Sequence, residues 1–236
     1  MKIVPTGIEN FKELIDKDAC YVDKTNLIEK VLKEKVVLYT RPRRFGKTLN
    51  MSMLYYFFSN KEKENAYLFD GLNISKNKEA LKHQNQYPVI FISLKDMKES
   101  KIENQLVKFS YIIARLLDQF EDILDDDIFN EREKKLLKRY HLNTASKNEL
   151  SESLLTISLC LRKYYHQKVI ILIDEYDVPL DKAFQYGYYD EMVMLIRGLF
   201  GNALKTNSNL FFAVLIGCLR VSKESIFTGL NNFNIY

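Results

Sequence analysis

Residues 36–58 read VVLYTRPRRFGKTLNMSMLYYFF, and three local patterns succeed one another within them. Val36 to Thr40 is a short, β-branched apolar run, as expected of a strand buried on both faces of a parallel sheet. Arg41-Pro42 stops it, because proline fixes its own φ and pushes the residue before it toward extended backbone. Gly46, Lys47 and Thr48 then open a helix whose Met51, Leu54, Tyr55 and Phe58 share one apolar face that can lie against the sheet. Strand, loop and helix with Gly-Lys-Thr at the helix start is the context of a phosphate-binding loop. There, backbone N–H groups converge on phosphate oxygens, a lysine meets the outer phosphates and a hydroxyl serves Mg²⁺. A bare Gly-Lys-Ser/Thr triplet arises by chance in roughly one chain of ten this long, so the flanking strand and helix carry the reading.

The upstream half departs from the common pattern G-x-x-x-x-G-K-[ST], in which Arg41 would be glycine. Arginine makes a left-handed turn costly by about 1–2 kcal/mol, and Pro42 brings no N–H. Arg43 and Arg44 add guanidinium groups able to contact phosphate bidentately. The expected cradle has fewer backbone donors and more side-chain charge, with Arg43, Arg44, Phe45, Gly46, Lys47, Thr48 and Leu49 as candidate nucleotide contacts.

Working outward, further strands are expected at Pro88 to Leu94, Lys168 to Glu175 and Asn209 to Gly217. Helical stripes separate them: Ile102, Leu106, Phe109, Ile113, Leu116 and Phe120; then Leu150, Leu154, Ile157, Leu161 and Tyr164; then Met192, Leu195, Ile196 and Leu199. Alternating strands and helices predict an α/β fold with a mostly parallel sheet and helices on both faces. The charge-dense stretch 121–149 reads as an exposed helical excursion, inserted before the third strand. The residues after Gly217 are too few for another full strand-helix unit, and the sequence reads as cut short.

The third strand, IILIDE, ends in Asp174 and Glu175, at the carboxyl end of a buried strand where ligands bind in open α/β sheets. Asp174 suits a Mg²⁺-holding role together with Thr48, and Glu175 suits the orienting of an attacking water. Asp177 reads as a helix cap before Pro179 or, as the alternative, as an acid supporting the site from behind. Ile216 stands where a polar residue at the end of the fourth strand would sense the terminal phosphate, so that sensor is missing; Arg220 is a candidate to supply charge instead.

Composition bounds the rest. The chain has 236 residues, enough for one large α/β domain, and a net charge of +4, too small to argue by itself for nucleic acid. Cys20, Cys160 and Cys218 lie far apart, with neither a C-x-x-C pair nor metal-ligand spacing, and read as reduced structural residues. No apolar window approaches the ~18 residues of a membrane span, and a cytoplasmic protein is expected.

YVDKTNLIEKVL (Tyr21 to Leu32), RPRRFGKT, IILIDEYDVPL (Ile170 to Leu180) and SIFTGLNN (Ser225 to Asn232) together resemble the bacterial AAA-ATPase-like family over nearly the whole chain. The resemblance implies a P-loop NTPase core over 1–236 that uses ATP and Mg²⁺, with Lys47 and Thr48 as Walker A residues and Asp174 and Glu175 as Walker B residues. Relatives commonly continue into a PD-(D/E)XK nuclease-like domain; no D…E-x-K constellation is evident here, and no nuclease activity is assigned. Catalytic roles fall to Lys47, Glu175 and Arg220. The expected function is Mg²⁺-dependent ATP hydrolysis, with two alternatives: a nucleotide-dependent switch of little turnover, possessing a protein partner, or a nucleic-acid-associated ATPase. The segment Tyr21–Thr25 belongs to the resemblance, and Asp23 or Thr25 reads as an N-cap of the helix after it; its nearness in sequence to the phosphate strand also permits a part in covering the nucleotide.

Overall fold

The computed structural model describes residues 4–42, 45–205, 207–218 and, for the backbone alone, 233–235. Two short helices, α1 (Phe11–Asp16) and α2 (Asn26–Val31), precede strand β1 (Val36–Thr40) and helix α3 (Lys47–Phe58). Two 3₁₀ turns (Lys63–Phe69, Asn73–Lys76) and α4 (Lys78–Leu81) lead to β2 (Val89–Ser93). Helices α5 (Ile102–Asp118), α6 (Glu131–His141) and α7 (Lys147–Tyr165) then lead to β3 (Val169–Asp174). Helices α8 (Val178–Tyr186) and α9 (Tyr189–Phe200) come before β4 (Leu210–Gly217), and β5 (Phe233–Ile235) closes the order.

The strands form one sheet in the order β2-β3-β4-β1-β5, with every pairing parallel. The expectation of a mostly parallel α/β sheet holds, and the residues after β4 add a strand the sequence did not announce: β5 pairs with the outer side of β1. Three residues flanked by polar ones carry too little apolar pattern to be read as a strand.

Side chains alternate across each strand, as the pleat requires. Val36, Leu38, Ile171, Ile173, Ala213 and Leu215 face the layer of α5, α7 and α9. Val37, Tyr39, Ile170, Leu172, Phe212 and Val214 face the layer of α3, with α1 and α2 beyond it. The sheet is therefore covered on both faces, which is why its strands read as unbroken apolar runs.

One expectation is extended and one is corrected. The apolar face expected of α3 is buried, with Met51, Leu54 and Phe58 in the core and Tyr55 packed against it, and Ser52, Met53 and Phe57 are buried as well. Helix α1 packs over its outer side, where Ser52 Oγ accepts the Phe11 N–H at 3.0 Å. The stretch 121–149 is not an exposed excursion: Ile123, Phe129, Leu137 and Tyr140 join the core between α5 and α7. Its charges mask a narrow apolar stripe on α6, a helix started by a reciprocal cap between Asn130 and Glu133.

Candidate functional site

Because the sheet is all parallel, the carboxyl ends of its strands share one edge. β4 lies between β1 and β3, with Thr40 beside Gly217 and Asp174 beside Ile216. The loop after β1 and the carboxylates after β3 thus flank the end of a single strand.

The loop turns into α3 through Gly46, whose φ of 70° and ψ of 30° lie in the left-handed region where a side chain is costly. Lys47, the first residue of α3, is buried, 7% exposed. Its ammonium donates to the carbonyls of Arg41 at 3.0 Å and Pro42 at 3.1 Å, and to Cys218 Sγ at 2.8 Å. The loop is thereby wrapped around its own lysine. Phe45 is exposed, and Leu49 packs toward the α3-side core while Asn50 faces the adjoining cleft. Arg43, Arg44 and Arg220 lie outside the described residues.

Asp174 ends β3 at 1% exposure. Burial pushes its carboxyl up to about 6; the neighbouring Glu175 adds to the rise, while a hydrogen bond from Thr48 and the charge of Lys47 oppose it. Its Oδ1 has no hydrogen-bond partner among the described residues. A buried, unsatisfied carboxylate oxygen is costly and unusual, and it lies beside the hydroxyl at the start of α3. Glu175 is half-buried and takes a φ of 54°, a left-handed backbone that costs a β-carbon-bearing residue about 1–2 kcal/mol. Such strain concentrates at functional sites.

Asp177 occupies the N-cap position of α8 but makes no capping bond there. Its Oδ2 instead accepts the Cys218 N–H at 3.0 Å, tying the end of β4 to the turn after β3. Tyr176 N–H also reaches Ile216 O, at 3.4 Å. Gly217 is pinned in this knot: a β-carbon there would lie 2.6 Å from both Asp177 Oδ1 and Tyr176 Cε1. Ile216 is buried at 3% exposure, so the end of β4 presents an apolar side chain.

Beside the loop opens a cleft of about 330 Å³. Lys24, Lys30, Arg41 and Lys47 give its lining positive charge, and among the described residues no carboxylate lines it. Leu27, Tyr39, Phe45 and Ile216 give it an apolar wall. Sequence reasoning missed Lys24 and Cys218. Their signals were faint: Lys24 lies within the Tyr21–Thr25 segment, and Cys218 follows directly on the β4 end. Among the described residues no cluster of three or more His, Cys, Asp or Glu could hold a metal unaided. A hydroxyl and one carboxylate nonetheless fit Mg²⁺, which takes few protein oxygens and completes its shell with phosphates and water. No helix among the described residues is long and apolar enough to cross a membrane.

A parallel sheet with a lysine-bearing loop and a buried acid at one edge is compatible with a P-loop-like fold, the class to which this geometry points. The chain belongs to the AAA-ATPase-like family, described as "Predicted AAA-ATPase", which it matches over residues 5–227. Membership suggests an ATP-binding NTPase. The chain is also 27% identical over 243 aligned positions to an "Uncharacterized protein in vnfD 5'region" of Azotobacter chroococcum mcd 1. That alignment covers 99% of this chain and 40% of the relative, so the chain spans well under half of that protein's length. No solved structure matches.

Proposed function

We propose that this chain binds ATP with Mg²⁺ and hydrolyses it. The observation that carries the proposal is the meeting, across the end of β4, of a cationic loop and a buried carboxylate with an unsatisfied oxygen beside Thr48. In this reading Lys47 leaves its loop carbonyls for the outer phosphates, adding charge where the leaving group develops it. Thr48 and Asp174 would hold Mg²⁺, which would supply neutralisation of phosphate charge. Glu175, set at the strand end by its left-handed backbone, orients the attacking water. Arg43, Arg44 and Arg220 remain candidates for further charge stabilisation, and backbone N–H groups from Phe45 to Leu49 for phosphate contacts. The protein is proposed to be cytoplasmic, with 121–149 as an addition to the core fold and with any nuclease-like or partner region lying elsewhere in the whole protein.

Thermal unfolding with ATP or GTP, each with and without Mg²⁺, tests the site, the base and the metal together. At ~100 times its dissociation constant, ATP with Mg²⁺ should stabilise the chain by ~2.7 kcal/mol, or roughly 5 to 11 °C. The shift should vanish in Lys47→Ala. No shift in the unsubstituted chain would reject nucleotide binding. Phosphate release should fall sharply in Glu175→Gln; equal rates would reject hydrolysis at this site.

A nucleotide-dependent switch of little turnover is the second reading. It is favoured by Ile216, which closes the end of β4 with a buried apolar side chain instead of a polar one. Tight binding with negligible phosphate release would select it. Association with nucleic acid has only the modest basicity behind it and would require salt-sensitive binding.

A further inference from the structure

The cleft beside the phosphate loop has an outer wall built by a segment far from the loop's own glycine and lysine. Tyr21 to Thr25 forms a turn before α2 whose side chains serve anchoring, not capping. Thr25 sits at the N-cap position of α2 but makes no side-chain cap. Asp23 Oδ1 accepts the Thr25 N–H at 2.8 Å and the Thr25 hydroxyl at 2.6 Å. Asp23 Oδ2 accepts the Asn73 N–H at 2.7 Å, and Thr25 Oγ1 accepts the Ile74 N–H at 3.2 Å. Tyr21 Oη accepts the Lys24 N–H at 3.1 Å, and the Tyr21 ring packs edge-on to Phe11. Thr25 is fully buried. Burial pushes the Asp23 carboxyl up, yet the bonds from Thr25 and Asn73 outweigh it and hold the group below its ordinary value.

This network leaves Lys24 projecting from a fixed turn. Its ammonium lies 3.9 Å from where a β-carbon on Gly46 would stand, directly against the phosphate loop. Lys24 forms no ion pair among the described residues, and the adjacent Asp23 carboxylate is committed to backbone and hydroxyl donors. Lys24 is itself exposed, and its charge stands at a cleft already carrying Lys30, Arg41 and Lys47, where like charges repel one another unless an anion joins them.

We propose that Lys24 is a polyphosphate-binding residue that closes the nucleotide site from the side opposite Lys47, and that Asp23 and Thr25 are positioning residues that hold it there. The proposal rests on the nucleotide-binding reading above and adds the residue that grips the phosphate chain from outside the loop. The triphosphate would lie between the two lysines, with Phe45 and Leu27 available to the nucleoside.

Binding of ATP, inorganic tripolyphosphate and adenosine to the chain, to Lys24→Ala and to Lys24→Arg decides the matter. Lys24→Ala should weaken ATP and tripolyphosphate roughly ten- to hundredfold, the range of a charge-assisted hydrogen bond. It should leave adenosine binding and the melting temperature without nucleotide unchanged, since Lys24 is exposed. Lys24→Arg should stay within about threefold of the unsubstituted chain, because the charge is retained. Unchanged tripolyphosphate affinity in Lys24→Ala overturns this inference and leaves the nucleotide reading standing. Failure of the unsubstituted chain to bind either phosphate probe overturns both. A loss confined to adenosine would place Lys24 on the nucleoside and overturn the phosphate role.

Discussion

The ends of β1 and β3 flank the same strand and carry opposite charge, yet they differ in how fully their polar atoms are satisfied. At the end of β1, the Lys47 ammonium finds three acceptors within its loop and on Cys218. At the end of β3, Asp174 keeps an oxygen without a hydrogen-bond partner among the described residues, and Glu175 sits in left-handed backbone. The Lys47 ammonium is satisfied within the fold, whereas the acidic end is under strain. Strain of this kind concentrates at functional sites, which is what the proposed role of the acids requires.

Substitutions at three positions break or sharpen that contrast. The largest effect is expected at the strand between the two ends. Gly217→Ala drives a β-carbon into Asp177 and Tyr176, both buried, and should cost about 3 kcal/mol, or roughly 6 to 12 °C in melting temperature. A shift under a degree would mean that the knot between β3 and β4 is loose, and the contrast would lose its fixed frame.

Next comes the acid itself. The Asp174 carboxyl stands at about 6 in the folded chain against 3.8 as its ordinary value. The folded state thus binds its proton more tightly, and stability falls as pH rises from about 4 through about 6. Below that window both states are protonated and the cost disappears. Asp174→Asn should therefore stabilise the chain at pH 8 by about 2 kcal/mol in chelating buffer without nucleotide, and the gain should fade toward pH 4. Denaturant unfolding at the two pH values measures it; a variant less stable than the parent at pH 8 would show that Asp174 supports the fold.

The smallest effect is at Glu175. Replacement by glycine should leave the chain more stable than replacement by alanine by about 1 kcal/mol, because only alanine must hold a β-carbon at positive φ. Equal stabilities would mean that the turn relaxes freely and that no strain is stored there.

Much of this was legible in the sequence, and the reason differs from element to element. The four longer strands showed themselves because burial on both faces demands continuous Val, Ile and Leu, and IILIDE placed Asp174 and Glu175 at a strand end without further help. β5 was not legible, since three residues at a sheet edge need no apolar run. The core role of 121–149 was hidden because Leu137 and Tyr140 are spaced on one face of a helix whose other positions are charged. The roles of Asp23 and Asp177 were read as local caps, the commonest use of such residues at helix starts. Both carboxylates instead reach segments about forty to fifty residues away, to Cys218 and Asn73.

The sequence by itself determined the alternation of strand and helix, the position of Lys47 and Thr48 at a helix start, and the acids at the end of a buried strand. These are properties of local periodicity and of residue type, and they act over a few neighbours in the chain. Only the tertiary structure decided that β4 would stand between the lysine loop and the acids, that Cys218 would meet Lys47, and that Lys24 would lean over Gly46. Strand order and the meeting of distant turns are fixed by which faces can be buried together, and that packing joins residues the chain keeps far apart.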